Sequence, residues 1–543
     1  MAPSFKKRSS SSHPPSQRTE PTKPTEALSK TSLDSSPTLH SHTAPSFIPT
    51  HGRSATSPAA FLSVVDEDST SNVEKALNDS LGNILELGIL WKRKTVLSLD
   101  GGGVRGLCSL YILRRLMSTV REMEESHGTL YSAQSLLPDN DVDSKEKRCS
   151  ESRLKGVFLP CHYFDYITGT STGGIIALML GRLQFTIEEA IISYKDLWGW
   201  MAENSSYNRM LSFKKGKYSN SQNFEMALEN IFKSQSQLLT LGSDPRMCRT
   251  FVLAMETGEK GFQAPYLFRS YPFVKGGMTE FNLNPKEDTE SYRIVDVCRA
   301  VSASSQQSIK LQSKPEKSTK PIKIRDGSRW TMNPSLEAYR EIHSMHFDVK
   351  TPIHYLLSVG CGVKTKRSGL IKVFSPRNSF PTGTNWEDIA TEEMMRDKSL
   401  QSEFGYCRLA GPEVLPGPDQ NDRKSNPKGE QSFQKIENAV NKYCDAYMDK
   451  IEACARALVS LRRRRAKTSR WEEFAFGYKY KCQDPSCAEG IPLFDHRADF
   501  VDHLRRAHEG PPETEEELPE LEKIISKSRT MALCRPAAAK CSI

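Results

Sequence analysis

Apolar and polar positions divide the chain into parts of different character. From Met1 to about residue 80, large apolar side chains are sparse among Ser, Thr, Pro and His. Such a stretch buries too little surface to offset the entropy of ordering, so residues 1–80 are expected to be a disordered tail. Order is expected from near Leu81. Short apolar runs then recur: Thr95-Val96-Leu97-Ser98-Leu99, Thr250-Phe251-Val252-Leu253-Ala254, Tyr266 to Tyr271 and Tyr355 to Gly360, the last of the core strands. Between them Leu107, Leu110, Leu113 and Met117 stand at helical spacing, and helices are expected after Ser171, over Ile187 to Trp200, Ile294 to Ser305 and Ser335 to His343. Strands alternating with helices predict an α/β domain over residues 91–362, its mostly parallel sheet covered by helices on both faces.

Beyond Gly362 the pattern fades. Residues 363–430 are polar and carry Pro412, Pro416 and Pro418, which predicts a linker. A stripe returns at Ile436, Val440, Tyr443, Tyr447, Ile451, Cys454, Leu458 and Leu461, predicting one amphipathic helix over 431–466 that ends in Arg462-Arg463-Arg464-Arg465. Its apolar face suits packing against the preceding domain or self-association, and the arginines are a candidate contact for anionic lipid headgroups. Residues 511–543 read as a polar tail.

Composition adjusts this picture in three ways. With 37% hydrophobic residues in 543 and a mean hydropathy of −0.54, the chain is too polar for one compact globule. Its net charge of +9 permits attraction to anionic lipid or nucleic acid and requires neither. Thirteen cysteines without a repeating framework fit reduced thiols. No apolar run is long enough to span a membrane, and the N-terminus lacks the apolar core of a signal peptide. The expectation is an intracellular protein, cytoplasmic or in peripheral contact with a membrane.

The chemistry centres on Gly169-Thr170-Ser171-Thr172-Gly173, approached by Tyr166-Ile167 and followed by a helix-forming run to Leu180. This G-x-S-x-G is the pattern of a nucleophile elbow, in which a sharp strand-to-helix turn pushes the serine hydroxyl out at the top of a sheet. Upstream, Asp100-Gly101-Gly102-Gly103-Val104-Arg105-Gly106 links a strand to a helix, so bare amides and a helix N-terminus face one point. Gly101, Gly103 and Gly106 also satisfy G-x-G-x-x-G. A dinucleotide fold, however, needs an acidic residue ending a second strand about twenty residues on, and the chain instead enters a polar insertion from Pro138 to Arg153. A serine needs a base, and a poorly solvated carboxylate can serve. Asp326, in the turn Asp326-Gly327-Ser328 after a short strand, is the candidate base.

Together these three segments resemble the patatin-like phospholipase family over roughly Trp91 to Gly362, and the Asn333-Pro334 pair is similar to one that follows its Asp-Gly element. The resemblance implies a lipid acyl hydrolase of phospholipase A type with a Ser-Asp dyad, needing no metal or other cofactor for catalysis. Ser171 would be the nucleophile and Asp326 the base, with Gly101, Gly102, Gly103 and Arg105 in the oxyanion loop; Gly106, Gly169, Gly173, Gly327 and Ser328 complete the motifs. Two departures stand out: Ser328 where the family usually has glycine or alanine, and Ala300-Val301-Ser302-Ala303-Ser304-Ser305 in place of Ala-Thr-Ser-Ala-Ala-Pro. An α/β-hydrolase with a Ser-Asp-His triad is the enzymatic rival and would call on a late histidine such as His354.

Cys482, Cys487, His503 and His508 give C-x4-C, fifteen residues, then H-x4-H within residues 478–510. The arrangement resembles a C2H2 zinc finger, whose central spacing is normally about twelve. Tyr480, Phe494, Phe500 and Leu504 would form its small core around a structural zinc; a chance cluster is the other reading. One finger reads only about three base pairs, so a protein-interaction role stands beside nucleic-acid binding. A second class of function follows, in which the hydrolase-like domain is a silent scaffold for this segment.

Overall fold

The computed structural model describes residues 90–126, 158–211, 219–232, 240–257, 263–273, 289–302, 309–311, 322–362, 385–401, 403–413, 430–487, 493–508 and 518–531. The expected N-terminal tail and the insertion from Pro138 to Arg153 lie outside them.

One sheet carries the described α/β part. It comprises β1 (Lys94–Leu99), β2 (Tyr166–Thr170), β3 (Arg249–Thr257), β4 (Gln263–Arg269), β5 (Ile309–Leu311), β6 (Ile322–Asp326), β7 (Ile353–Val359) and β8 (Gly405–Leu409). The order is β5-β6-β3-β2-β1-β7-β8, with β4 also paired to β3. The run β3-β2-β1-β7-β8 is parallel, whereas β4 and β6 run antiparallel to β3, and β5 to β6. Helices α1 (Gly106–Glu125), α2 (Thr172–Ala177), α3 (Ile187–Leu211), α4 (Ser219–Phe232), α5 (Ile294–Val301), α6 (Ser335–Met345) and α7 (Asn385–Gln401) connect the strands. β1 is buried along its whole length, with Leu97 and Leu99 in one apolar cluster and Val96 in the other. A central parallel strand covered on both faces has no polar side, which is why Thr95 to Leu99 reads as a nearly unbroken apolar run.

β7 is not the last strand. The polar stretch expected to be a linker supplies α7 and then β8, which adds parallel to β7 from Tyr355↔Gly405 to Val359↔Leu409. Most of β8 is half-buried at the sheet's edge, so it carries no run of large apolar residues to announce it. The expected tail likewise holds α12 (Leu518–Ser528) and β10 (Arg529–Met531), and β10 pairs with β9 (Tyr478–Tyr480).

The single amphipathic helix is two, α8 (Glu430–Ala446) and α9 (Met448–Ala466), broken at the exposed Tyr447. Both pack against α1. The arginine run is not a lipid-facing patch, because three of its four side chains are committed inward. Arg462 meets Glu124 of α1 through two hydrogen bonds of 2.6 Å, and Arg463 adds a third at 3.0 Å. Arg465 pairs with Asp165 at 2.9 Å and donates to the carbonyls of Leu90 and Arg93. Only Arg464 of the four is exposed. Glu124 and Arg462 are 0% and 2% exposed at the side chain, so removing one strands the other's charge away from water. We expect Glu124→Ala to lower stability by about 3–5 kcal/mol and Arg464→Gln by less than about 0.5 kcal/mol, as read by urea denaturation.

Candidate active site

Ser171 sits between β2 and α2 with φ 52° and ψ −128°, a strained conformation for a residue with a side chain. The turn is held by close backbone approach: a Cβ at Gly173 would collide with the carbonyls of Asp100 and Leu99, so only glycine fits there. The strain presents the Ser171 hydroxyl to Asp326, and Oγ donates to Oδ2 at 2.8 Å.

These two residues, far apart in sequence, are brought together by β3. Its Leu253 is the register partner of Thr170 at the end of β2, and its next residue, Ala254, is the partner of Asp326 at the end of β6. β2 and the antiparallel β6 therefore end at neighbouring levels of β3, and Ser171, one residue past β2, meets Asp326, the last residue of β6. Gly327 turns the chain away; a Cβ there would strike the Leu253 carbonyl. The other carboxylate oxygen of Asp326, Oδ1, accepts from the Ser328 N–H at 2.8 Å. Because that contact uses backbone, the family's glycine or alanine at this position is replaced by serine without loss of the bond.

The glycine loop crosses over the elbow. The N–H groups of Gly102 and Gly103 converge on the Thr172 hydroxyl at 3.2 and 2.9 Å, beside Ser171. Gly101 differs from expectation: its N–H donates to the Met332 carbonyl at 3.1 Å, because the loop's first residue is tied to the segment ahead of α6. The Arg105 guanidinium donates to the Gly362 carbonyl at 2.6 Å and so braces the loop against the end of β7. Gly106, the first residue of α1, is buried, as is Gly169 within β2.

Sequence reasoning missed one residue of this site. Arg408 of β8 grips the Asp100 carboxylate from beneath the loop, Nη1 to Oδ1 at 2.8 Å and Nη2 to Oδ2 at 2.5 Å, and Nη1 also donates to Ser358 Oγ at 2.8 Å. Burial pushes the Asp100 carboxyl above its ordinary pKa, and the Arg408 charge acts against that shift. Nearby, Asn333 Oδ1 accepts from the Ser335 N–H and hydroxyl at 3.1 and 2.6 Å and fixes the start of α6. His354 lies near the N-terminal end of β7, beside the register of Lys94 and Thr95. That is most of a strand from the elbow, on the order of 15 Å, and puts His354 out of reach as a base for Ser171.

Residues 97–305 match the family model described as patatin-like phospholipase. Over that stretch the chain is similar to the patatin-like phospholipase family. A relative, patatin-like protein 1 of Arabidopsis thaliana, is 32% identical over 106 residues, which are 18% of this chain and 18% of that protein. The patatin-like match includes the glycine loop and the elbow, while Asp326 and Arg408 lie beyond it.

A second constellation stands outside the patatin-like match. Helices α10 (Arg470–Phe476) and α11 (Arg497–His508) flank β9, and Tyr480 exchanges backbone hydrogen bonds with Phe494 at 3.0 and 2.9 Å. Tyr480, Phe500 and Leu504 are buried together, with Phe494 packed against them. The ligand atoms of Cys482, Cys487, His503 and His508 all lie within 4.8 Å of one another and can hold a metal ion.

Proposed function

We infer that the protein is a lipid acyl hydrolase of phospholipase A type that works through a Ser-Asp dyad. The observation that carries this is the 2.8 Å hydrogen bond from Ser171 Oγ to Asp326 Oδ2 on a strained elbow beneath a glycine loop. Asp326 takes the proton as Ser171 Oγ bonds to the ester carbonyl carbon. The resulting oxyanion accepts from the N–H groups of Gly102 and Gly103, in the place the Thr172 hydroxyl now fills. Collapse breaks the ester C–O bond, and the proton on Asp326 passes to the departing alcohol oxygen. Water then attacks the acyl-Ser171 ester, Asp326 receives its proton, and the fatty acid leaves as Ser171 is restored. No histidine or metal enters these steps. The substrate class is a carboxylic ester of a lipid, which brings the protein into contact with a lipid surface.

The test is covalent. Purified protein mixed with excess chromogenic short-chain ester should release a burst of alcohol close to one equivalent, and mass spectrometry after acid quench should place the acyl group on Ser171. Phosphatidylcholine vesicles should yield free fatty acid. No adduct and no turnover on either substrate would leave the domain a scaffold for the C-terminal segment.

A further inference from the structure

We propose that Cys482, Cys487, His503 and His508 bind one Zn2+, and that the ion holds the hairpin by which the C-terminal segment is pinned to the end of the sheet opposite the dyad. The donors fit. Cys487 Sγ stands 3.0 Å from His508 Nε2 and 3.3 Å from His503 Nε2, and Cys482 Sγ is 3.3 Å from His508 Nε2. Bonds of about 2.0–2.3 Å to a tetrahedral ion set its ligands roughly 3.3–3.8 Å apart, so small outward shifts admit zinc. His508 turns Nδ1 toward Asp484 Oδ2 at 3.4 Å and Ser486 Oγ at 3.3 Å. A carboxylate on one imidazole nitrogen leaves the lone pair of the other for a metal. Two thiolates with two imidazoles select zinc over magnesium or calcium.

The hairpin that this ion would close is also the one the catalytic half holds. Arg246, just ahead of β3 and gripped by Asp244 at 2.6 Å, donates to the carbonyls of Gly477, Tyr478 and Asp495, which come from the two sides of the hairpin that carries Cys482 and Cys487. His162, just ahead of β2, meets the Ala475 carbonyl at 3.1 Å and packs edge-on against Trp471 and Phe476. Both anchors precede their strands, whereas Ser171 follows β2 and Asp326 ends β6. The hairpin's own apolar cluster is small, and a core of that size ordinarily needs a staple. With the ion in place, Arg246 has three fixed carbonyls to bind; without it, the base of the loop rests on the two Tyr480–Phe494 backbone hydrogen bonds and the Lys479–Asp495 ion pair, and its cysteines reach α11 through weak thiol–imidazole contacts.

The experiment uses the full chain and does not depend on the dyad. Elemental analysis of protein purified without added metal should find about one zinc per chain, and Cys487→Ser with His503→Asn should remove it. Stripping wild-type protein with a chelator should lower its unfolding midpoint by at least about 5 °C and speed amide exchange at residues 244–249 and 475–487, with Zn2+ restoring both. Arg246→Met should keep its zinc yet show the same faster exchange. Absence of stoichiometric zinc would overturn the site. Zinc that can be stripped with no change of midpoint or of exchange at residues 244–249 would overturn the clasp.

Discussion

Ser171→Ala is expected to reduce ester hydrolysis at least about a thousandfold, leaving only what binding and the loop amides contribute. Asp326→Asn should fall by about 10²–10⁴-fold in kcat, since an amide can still accept the serine hydrogen bond but cannot take the proton. KM should change little in either variant, because both groups act on the reacting bond. A further substitution separates chemistry from stability. Ser171 holds φ 52°, so Ser171→Gly should abolish turnover while stabilising the fold by about 1 kcal/mol, read as a higher denaturation midpoint. An Asp326→Asn protein with unaltered kcat would defeat the dyad.

Arg408→Met should be the second large effect, although Arg408 does not touch the dyad. Its guanidinium is 7% exposed and its partner carboxylate 5%, so its loss strands a buried charge worth about 3–5 kcal/mol of stability. Asp100 then takes up a proton and releases its grip, and the amides of Gly102 and Gly103 lose their fixed aim. A misplaced donor costs about as much as a missing one, so kcat should drop roughly a hundredfold with KM nearly unchanged. Measured under conditions where circular dichroism shows the variant folded, Arg408→Lys should recover part of kcat by restoring the charge without the two-point geometry. The double variant Arg408→Met with Asp100→Asn should regain much of the lost stability without regaining the rate. Wild-type kcat in Arg408→Met would show that the loop needs no counter-ion.

How legible each feature was depended on how local its physics is. The elbow and the glycine loop are turns whose residues are dictated by their own backbone, so Gly169 to Gly173 and Asp100 to Gly106 declare themselves in sequence. The meeting of Ser171 with Asp326 is set by the register of two strands on β3, and no spacing along the chain encodes a register. Arg408 was hidden because Gly405 to Leu409 is a half-buried edge strand with one large aliphatic residue. The four arginines misled for a related reason. Whether a charge is solvated or interred is decided by partners such as Glu124 and Asp165, more than 290 positions upstream. Tyr447 continues the apolar stripe although the helix breaks there, because the following helix resumes nearly in phase and buries Ile451 as the first buried Ile436.

The placement of β8 and α9 carries a genetic consequence. The parallel run of the sheet is completed by residues 405–409, and Glu124 and Asp165 are paired with arginines at residues 462–465. A stop codon anywhere between the codons for Gly362 and Arg465 would leave Ser171 and Asp326 encoded in full, yet the shortened product would lack a sheet edge or the arginines paired with two interred acids. Nonsense and frameshift alleles in that interval should behave as complete losses, and lesions far downstream of the chemistry should be scored with those that strike it.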